Sequence, residues 1–496
     1  MTGEHKSVYR HMVRGSTWAI ALTWAMRGIG IVNTAILARL LSPDDFGLVA
    51  MATLAFGLLD TFANFGTSTL IFRERDPTRA HCDTAWTIGA LRGLVLGVAL
   101  AASAPLIARY FGEPRVIPVV YVVAVNAALN GAVSVGLILM RKELDFAGEF
   151  RYLVSVRMLT FVATIGLALW LRSYWALVLG STAGGLFALW RSFAVHPYRP
   201  RPSLALAREY LAFTYKIIPL NICFYLASRA DSFVVGRLSP APVLGLYNVA
   251  SDLSGMLTTE LTMQIGRALF PAYSTLSHDL VRLREAFLNS FAALVIVNVA
   301  FGLGLFAVSD EFVPLVLGAK WSGAVPFIAW LAIAGMLRGL LQPTQAILWI
   351  CRRDTAASVL MFVRFAVISA AAIAGGLLGG AHAVAVAVTL ALAALLPIGV
   401  SVLRPALGVG MKDLLRTAWR PAIAGTLMVL AVDGVRATVV AGKVPLLAAE
   451  VAVGAVVFTA ALLVLWVLAR RPAGPEAMVL EVVRARWERW RRPPSA

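Results

Sequence analysis

Ionisable side chains set inside long apolar runs are the residues of this 496-residue chain best placed to do chemistry. A charge at membrane depth is costly, and lipid offers it no partner. The set is Arg27, Asp60, Arg92, Arg157, Lys216, Arg229, Asp231, Glu260, Arg267, Arg338 and Arg364; Arg27, Asp60, Arg229, Asp231 and Arg338 fall deepest in their runs. Cations outnumber anions at depth. Arginine stays charged on burial and offers a planar fork of donors that matches phosphate oxygens, so the surplus points to recognition of an anion. A diphosphate would offset several buried arginines at once, as would sulfate, a carboxylate or structural acids.

Arg27 precedes Gly28, Gly30 and Asn33, small and polar positions that let backbones approach and leave a polar stripe on one face. It is read as a ligand contact or as an internal partner of Asp60. Arg229 and Asp231 are two residues apart, so they face different neighbours. Arg229 is an anion contact in the functional reading. Asp60 and Asp231 are candidates for gating or ion coupling, with helix registry as the plainer role. Arg338, and with it Arg364, is an anion contact or a snorkelling or interhelical partner; Lys216 anchors a helix end. Trp18, Trp24, Trp86, Trp330, Trp349, Phe62, Phe65, Phe224 and Tyr225 are platforms for sugar faces or lipid chains, or else interface and packing residues.

Soluble-enzyme chemistry has no footing. There is no phosphate-binding P-loop, no H-E-x-x-H and no G-x-S-x-G, and Gly28-Ile29-Gly30 lies within an apolar run rather than at a strand-to-helix turn. The six histidines are scattered, and Cys82, Cys223 and Cys351 have no metal or disulfide spacing. No cofactor is expected. Transport would be facilitated or coupled to Na⁺, H⁺ or the membrane potential.

The elements that carry these residues are membrane helices. Hydrophobic residues make up 59% of the chain and charged ones 14%, and mean hydropathy is +0.80. Reading apolar stretches of about 17–25 residues gives about fourteen spans, from 15–37 to 444–469. The runs are continuous rather than alternating, so they are helices and not barrel strands. The first has no small-residue cleavage site after a short apolar core and is expected to remain as a helix.

Lys and Arg concentrate in alternate loops. One side takes Arg14, Arg75, Arg141, Arg201, Arg284, Arg353, Arg416 and the basic tail, while the other takes only Arg39, Arg109, Arg115, Arg172, Arg237, Lys320, Arg436 and Lys443. Both termini are therefore expected to be cytoplasmic. The net charge of +18 is spread over connectors, which favours anionic membrane lipids over nucleic acid as its partner. The end of the chain, VLEVVRARWERWRRPP, is read as a short interfacial helix carrying Trp487 and Trp490, or as a basic tail without regular structure.

One phrase is written twice. ARLLSPDDFGL, ending at Leu48, returns as GRLSPAPVLGL, ending at Leu246, at an offset of about 198 residues. Arg39 then corresponds to Arg237, Pro43 to Pro240, Gly47 to Gly245 and Asn33 to Asp231. Such a repeat between apolar runs points to two homologous halves around a central path. Arg39 and Arg237 are read as supports of matching turns on the side opposite the termini, which the family resemblance below makes periplasmic, and the unequal pair Asn33 and Asp231 as a place to seek chemistry.

ARLLSPDDFGLVAMA, LLDTFANFGTSTLIF and RERD in the first half resemble the bacterial polysaccharide transporter family of lipid-linked oligosaccharide flippases. VVGRLSPAPVLGLYNVASDL, FPAYSTL and VPLVLGAKWSGAVP in the second half carry the same resemblance, which extends through the twelfth span. It implies the fold of the multidrug, oligosaccharidyl-lipid and polysaccharide exporter superfamily: an all-α polytopic protein of two six-helix lobes in a V-shaped alternating-access arrangement, plus two C-terminal helices. On this chain that gives lobes at 1–195 and 212–403, a linker at 196–211, an amphipathic connector with two further helices at 404–469, and a basic cytoplasmic tail at 470–496.

The implied activity is translocation of undecaprenyl-diphosphate-linked oligosaccharide, or a related glycolipid, across the bacterial inner membrane for exopolysaccharide, capsule or O-antigen synthesis. A glycosyltransferase and a periplasmic polymerase are the implied partners. Arg27, Arg229, Arg338 and Asn33 are the substrate-binding candidates. The competing readings are a multidrug or small-cation exporter of the same superfamily, which would balance its cavity with acids, and a non-transporting membrane scaffold.

Overall fold

The computed structural model describes residues 3–63, 71, 72, 74, 76–208, 218–438, 442–472 and 474–477, and no strand occurs among them. Its contacts divide the chain into two units, Met1–Gly245 and Leu246–Ala496.

The first unit holds α1 (Gly3–Leu40), α2 (Pro43–Ala63), α3 (Arg79–Phe111), α4 (Val116–Gly131), α5 (Gly136–Lys142), α6 (Phe146–Leu171), α7 (Trp175–Val195) and α8 (Ile218–Leu238). α9 (Ala241–Leu257) begins in it. The turn between α1 and α2 is a reciprocal cap. Ser42 N donates to Asp45 Oδ2 at 2.8 Å and Asp45 N donates to Ser42 Oγ at 3.3 Å, so two otherwise orphaned amides are satisfied. Asp45 Oδ1 also accepts Tyr174 N at 2.7 Å, and Arg115 grips the Asp44 carboxylate at 2.9 and 3.1 Å. These contacts tie together loops that the charge pattern places on one side of the membrane.

α3 and α4 touch backbone to backbone. Gly89, Gly93 and Gly97 recur every four residues on one face of α3; a Cβ at Gly93 would stand 2.7 Å from Gly131 Cα, and one at Gly97 2.7 Å from Ala124 O. Without a hydrophobic drive between helices in lipid, such small-residue contact supplies the packing and narrows the helix spacing. This seam also fixes the direction of Arg92, which lies between two of those glycines.

The stretch after α7 is strapped along the start of α3. Tyr198 Oη donates to Asp83 Oδ1 at 2.6 Å, Arg201 N donates to the same oxygen at 3.0 Å, and Ser203 N donates to Thr87 Oγ1 at 2.9 Å. Burial, and after it the Asp83 hydrogen bond, holds the Tyr198 phenol well above the ordinary tyrosine range.

The second unit continues with α10 (Thr259–Thr275), α11 (Leu280–Val316), a 3₁₀ turn at Ala319–Ala324, α12 (Val325–Ile350), α13 (Asp354–Leu407), α14 (Met411–Thr438) and α15 (Lys443–Leu468). Phe287, Phe291 and Val295 of α11 pack with Ile347 of α12, Leu403 of α13, Met428 of α14 and Phe458 of α15 into one core. Arg420 on α14 is buried against Glu476 at 2.6 Å, which pins the first residues after Arg470 to this unit. That stretch was expected to be a plain basic tail.

Among the described residues ten helices are long and apolar enough to cross a membrane, or eleven if Val116–Gly131 and Gly136–Lys142, bent by 50°, are one span. The expected count of fourteen therefore reduces to the coarser statement of a polytopic all-α membrane protein. Four local causes account for the difference. The expected span 116–139 breaks after Gly131. The expected span 246–270 is two helices meeting at Thr258, each 17 residues or about 26 Å long, short of a hydrocarbon core of about 30 Å. α8 carries Arg229, Asp231 and Arg237 in 21 residues, and those charges lower its hydropathy. Last, α13 is two expected spans in one: its 54 residues are interrupted at Gly379 and at Gly380, whose φ of 68° suits only glycine. Lys216, the side chains of Glu260 and Arg267, and the helix expected around Trp487 and Trp490 lie outside the described residues.

Candidate functional site

In the first unit the deep charges gather on α2, α3 and α8. Asp60 is paired with the Arg92 guanidinium, so the acid expected as a partner of Arg27 is engaged from α3 instead. Tyr225 of α8 donates to Leu54 O at 2.9 Å, across the face of α2 where Gly57 leaves room for its ring. Both Arg229 and Asp60 lie within electrostatic range of the Tyr225 hydroxyl. A charged line thus runs from Arg229 through Tyr225 and Asp60 to Arg92, joining three helices.

A cavity of about 340 Å³ opens beside this line, with Asp60, Trp86, Arg92, Asn130, Ser134 and Arg141 in its wall. The break between α4 and α5 forms its back: Trp86 Nε1 donates to Ala132 O at 3.0 Å, and Ser134 Oγ accepts Gly136 N at 3.1 Å. Arg141 is paired with Glu149. The mixture of one acid, two arginines, an amide, a hydroxyl and an indole suits a polar ligand carrying negative charge.

The other first-unit candidates are placed as follows. Arg27 is half-buried on α1. Asn33, two turns on, has its Oδ1 buried with no hydrogen-bond partner among the described residues. Asp231 is 1% exposed, and its Oδ1 accepts Ser232 N at 2.9 Å. Arg39 is exposed at the end of α1, and Arg237, exposed at the end of α8, lies 6.0 Å from the Tyr110 ring. Neither belongs to the cavity wall.

In the second unit Arg338 of α12 and Arg364 of α13 are close enough to repel each other. The Arg364 Nε is buried with no acceptor. A separate cluster surrounds Arg436 on α14: Asp310 at 3.0 Å, Glu311 at 2.7 Å, Asp433 at 3.8 Å and the fully buried Glu450 at 3.3 Å. Sequence reasoning passed over this cluster, because its members come from three helices and only Arg436 had been assigned a side.

Sequence comparison matches residues 36–326, more than half of the chain, to the family described as "Polysaccharide biosynthesis protein". The lipopolysaccharide biosynthesis protein WzxC of Escherichia coli K12 is 27% identical over 84% of this chain and 85% of its own length. The teichuronic acid biosynthesis protein TuaB of Bacillus subtilis 168 is 24% identical over 69% of this chain and 72% of its own. Among solved structures, the lipid II flippase MurJ in an inward closed conformation superposes with a TM-score of 0.73 at 12% identity, covering 92% of this chain and all of that one. An inward-facing multidrug resistance transporter of the MATE family reaches 0.56 at 15% identity over 79% of this chain and 94% of that one. Those two likenesses speak to fold. With a matched segment that runs from the end of α1 through α11 and contains both copies of the repeated phrase, the chain belongs to the polysaccharide biosynthesis protein family.

Proposed function

We propose that the protein translocates a polyprenyl-diphosphate-linked oligosaccharide across the bacterial inner membrane for the assembly of a cell-surface polysaccharide. The observation that carries the proposal is the surplus of arginine in the apolar runs of a chain of this family. The names of relatives point the same way: WzxC and TuaB are biosynthesis proteins for surface polymers, and MurJ is a lipid flippase.

In this proposal the full architecture has two six-helix lobes and two C-terminal helices, fourteen spans in all, with both termini cytoplasmic. Arg27, Arg229 and Arg338 hold the diphosphate and Asn33 a sugar hydroxyl. The lobes rock to expose the headgroup on the far side, and no covalent bond is made or broken. Asp60 and Asp231 respond to Na⁺, H⁺ or the membrane potential, and Arg39 and Arg237 support the periplasmic turns. A glycosyltransferase loads the lipid, and a periplasmic polymerase consumes it.

The test is inner-to-outer movement of a labelled diphosphate-linked oligosaccharide in proteoliposomes, for wild type and for Arg27→Gln and Arg229→Gln. Movement by wild type and at least a tenfold loss in correctly inserted variants is expected, the size of a lost charge-assisted hydrogen bond of about 1.5–3 kcal/mol. Export of organic cations in place of the lipid would overturn the assignment in favour of a drug exporter.

A further inference from the structure

Arg92 belongs to two cavities at once. On one side is the polar cavity with Asp60, Trp86 and Asn130. On the other is a slot of about 530 Å³ walled by Leu59, Phe62, Leu91, Val95 and Leu204, with Arg92 the sole charged residue in its wall among the described residues. Both volumes lie within the range of about 300–1,000 Å³ typical of small-ligand sites. An apolar slot that meets a polar chamber at one guanidinium fits an amphiphile whose negative charge lies where its hydrocarbon chain ends.

We propose that Arg92 marks a docking site for a phosphate-linked isoprenoid lipid: phosphate on Arg92, chain in the slot, and the first sugar in the polar cavity beside Trp86 and Asn130. The proposal rests on the flippase reading and adds to it a lateral station on the first unit, separate from Arg27 and Arg229. Two observations favour this occupant over a bilayer phospholipid. Arg92 lies five residues, about 7.5 Å along α3, beyond Thr87, where the polar strap hydrogen-bonds the helix, so a phosphate there sits inward of that contact. The chamber next to it also offers amide, hydroxyl and indole groups that a sugar can use.

The ion pair with Asp60 leaves the site open to exchange. The Arg92 and Asp60 side chains are 26% and 35% exposed, and partly exposed pairs contribute little, about 0–1 kcal/mol. Among the described residues only Nη2 of Arg92 is engaged, which leaves Nε and Nη1 to face a phosphate. A chain gains little by leaving bilayer for slot, since lipid tails are as apolar as leucine. Selection must therefore come from the charged junction, which gives the two partners opposite signs. Arg92 attracts the ligand, and Asp60 competes with it.

The experiment measures binding of undecaprenyl phosphate to the purified full-length protein in neutral-lipid nanodiscs, with inorganic phosphate and phosphatidylglycerol as comparison probes. Arg92→Leu is expected to weaken binding about tenfold or more, Arg92→Lys to retain part of it, and Asp60→Asn to tighten it several-fold. A lipid bearing a diphosphate-linked sugar is expected to bind more tightly still, and Trp86→Ala to remove that increment. Equal weakening by Asp60→Asn and Arg92→Leu, together with equal losses of thermal stability, would make the pair purely structural and overturn the site. So would phosphatidylglycerol binding as well as the isoprenoid, which would mark a bilayer lipid, or inorganic phosphate alone accounting for the affinity. Transport that survives Arg92→Leu with docking absent refutes the station and leaves the flippase assignment standing.

Discussion

Gly47 and Gly245, the matching glycines of the repeated phrase, lie face to face: a Cβ on Gly245 would stand 3.0 Å from the Gly47 amide nitrogen and would run into Pro43 O. A Cβ on Gly47 would run into Ala241 O in return. The two copies of the phrase are thus the two sides of one backbone contact, where a side chain on either glycine would force the helices apart. Gly47→Ala and Gly245→Ala are each expected to destabilise the protein by about 1–3 kcal/mol, the usual cost of overpacking. Because both act on one contact, the double variant should fall short of the sum. Thermal unfolding of the purified variants checks this; additive losses would mean that the two sites are independent.

Arg436 neutralises a fully buried carboxylate. Arg436→Gln leaves Glu450 without its counter-charge beside Glu311, and a loss of about 3–5 kcal/mol is expected, as for other broken buried pairs. Glu450→Gln in the same chain should restore much of it. Unfolding in a denaturing detergent titration reads both, and a failure of the second change to rescue the first would disprove the pairing.

The strap from Tyr198 to Ser203 hangs on Asp83 and Thr87. Tyr198→Phe removes a buried hydrogen bond to a carboxylate, with an expected cost of about 1.5–3 kcal/mol. Hydrogen exchange of the Arg201 amide, held in wild type by Asp83, should then be faster. An unchanged exchange rate would show that the strap is secured elsewhere.

The loop between α3 and α4 carries a pH signature. The hydrogen bond from Arg115 holds the Glu113 carboxyl below the usual glutamate range. Its folded value is depressed, so its contribution is complete above the unfolded value of about 4.3 and is lost as pH falls through the folded value. Arg115 is half exposed, which limits the effect to about 0–1 kcal/mol. A plot of unfolding temperature against pH should be flat in this contribution from pH 7 to 5, and Glu113→Gln should remove the further decline at lower pH.

Membrane residence, helical class, the family and the excess of deep arginine are all legible in the residues, because hydropathy and the exclusion of charge from lipid are local properties. The repeated phrase was legible too, but not its meaning as one contact written from both sides. Partner choice was not legible. Asp60 chose Arg92 over Arg27, and Arg436 collected acids from three helices, because a pairing depends on how each helix is rotated and how closely it approaches its neighbour. The glycine stripe at Gly89, Gly93 and Gly97 was written in the chain, yet only packing against Gly131 and Ala124 turned it into the seam that sets Arg92 at the meeting of a polar chamber and an apolar slot. Sequence fixes which residues are costly to bury. Tertiary structure decides what each of them is buried against, since that geometry joins residues far apart in the chain.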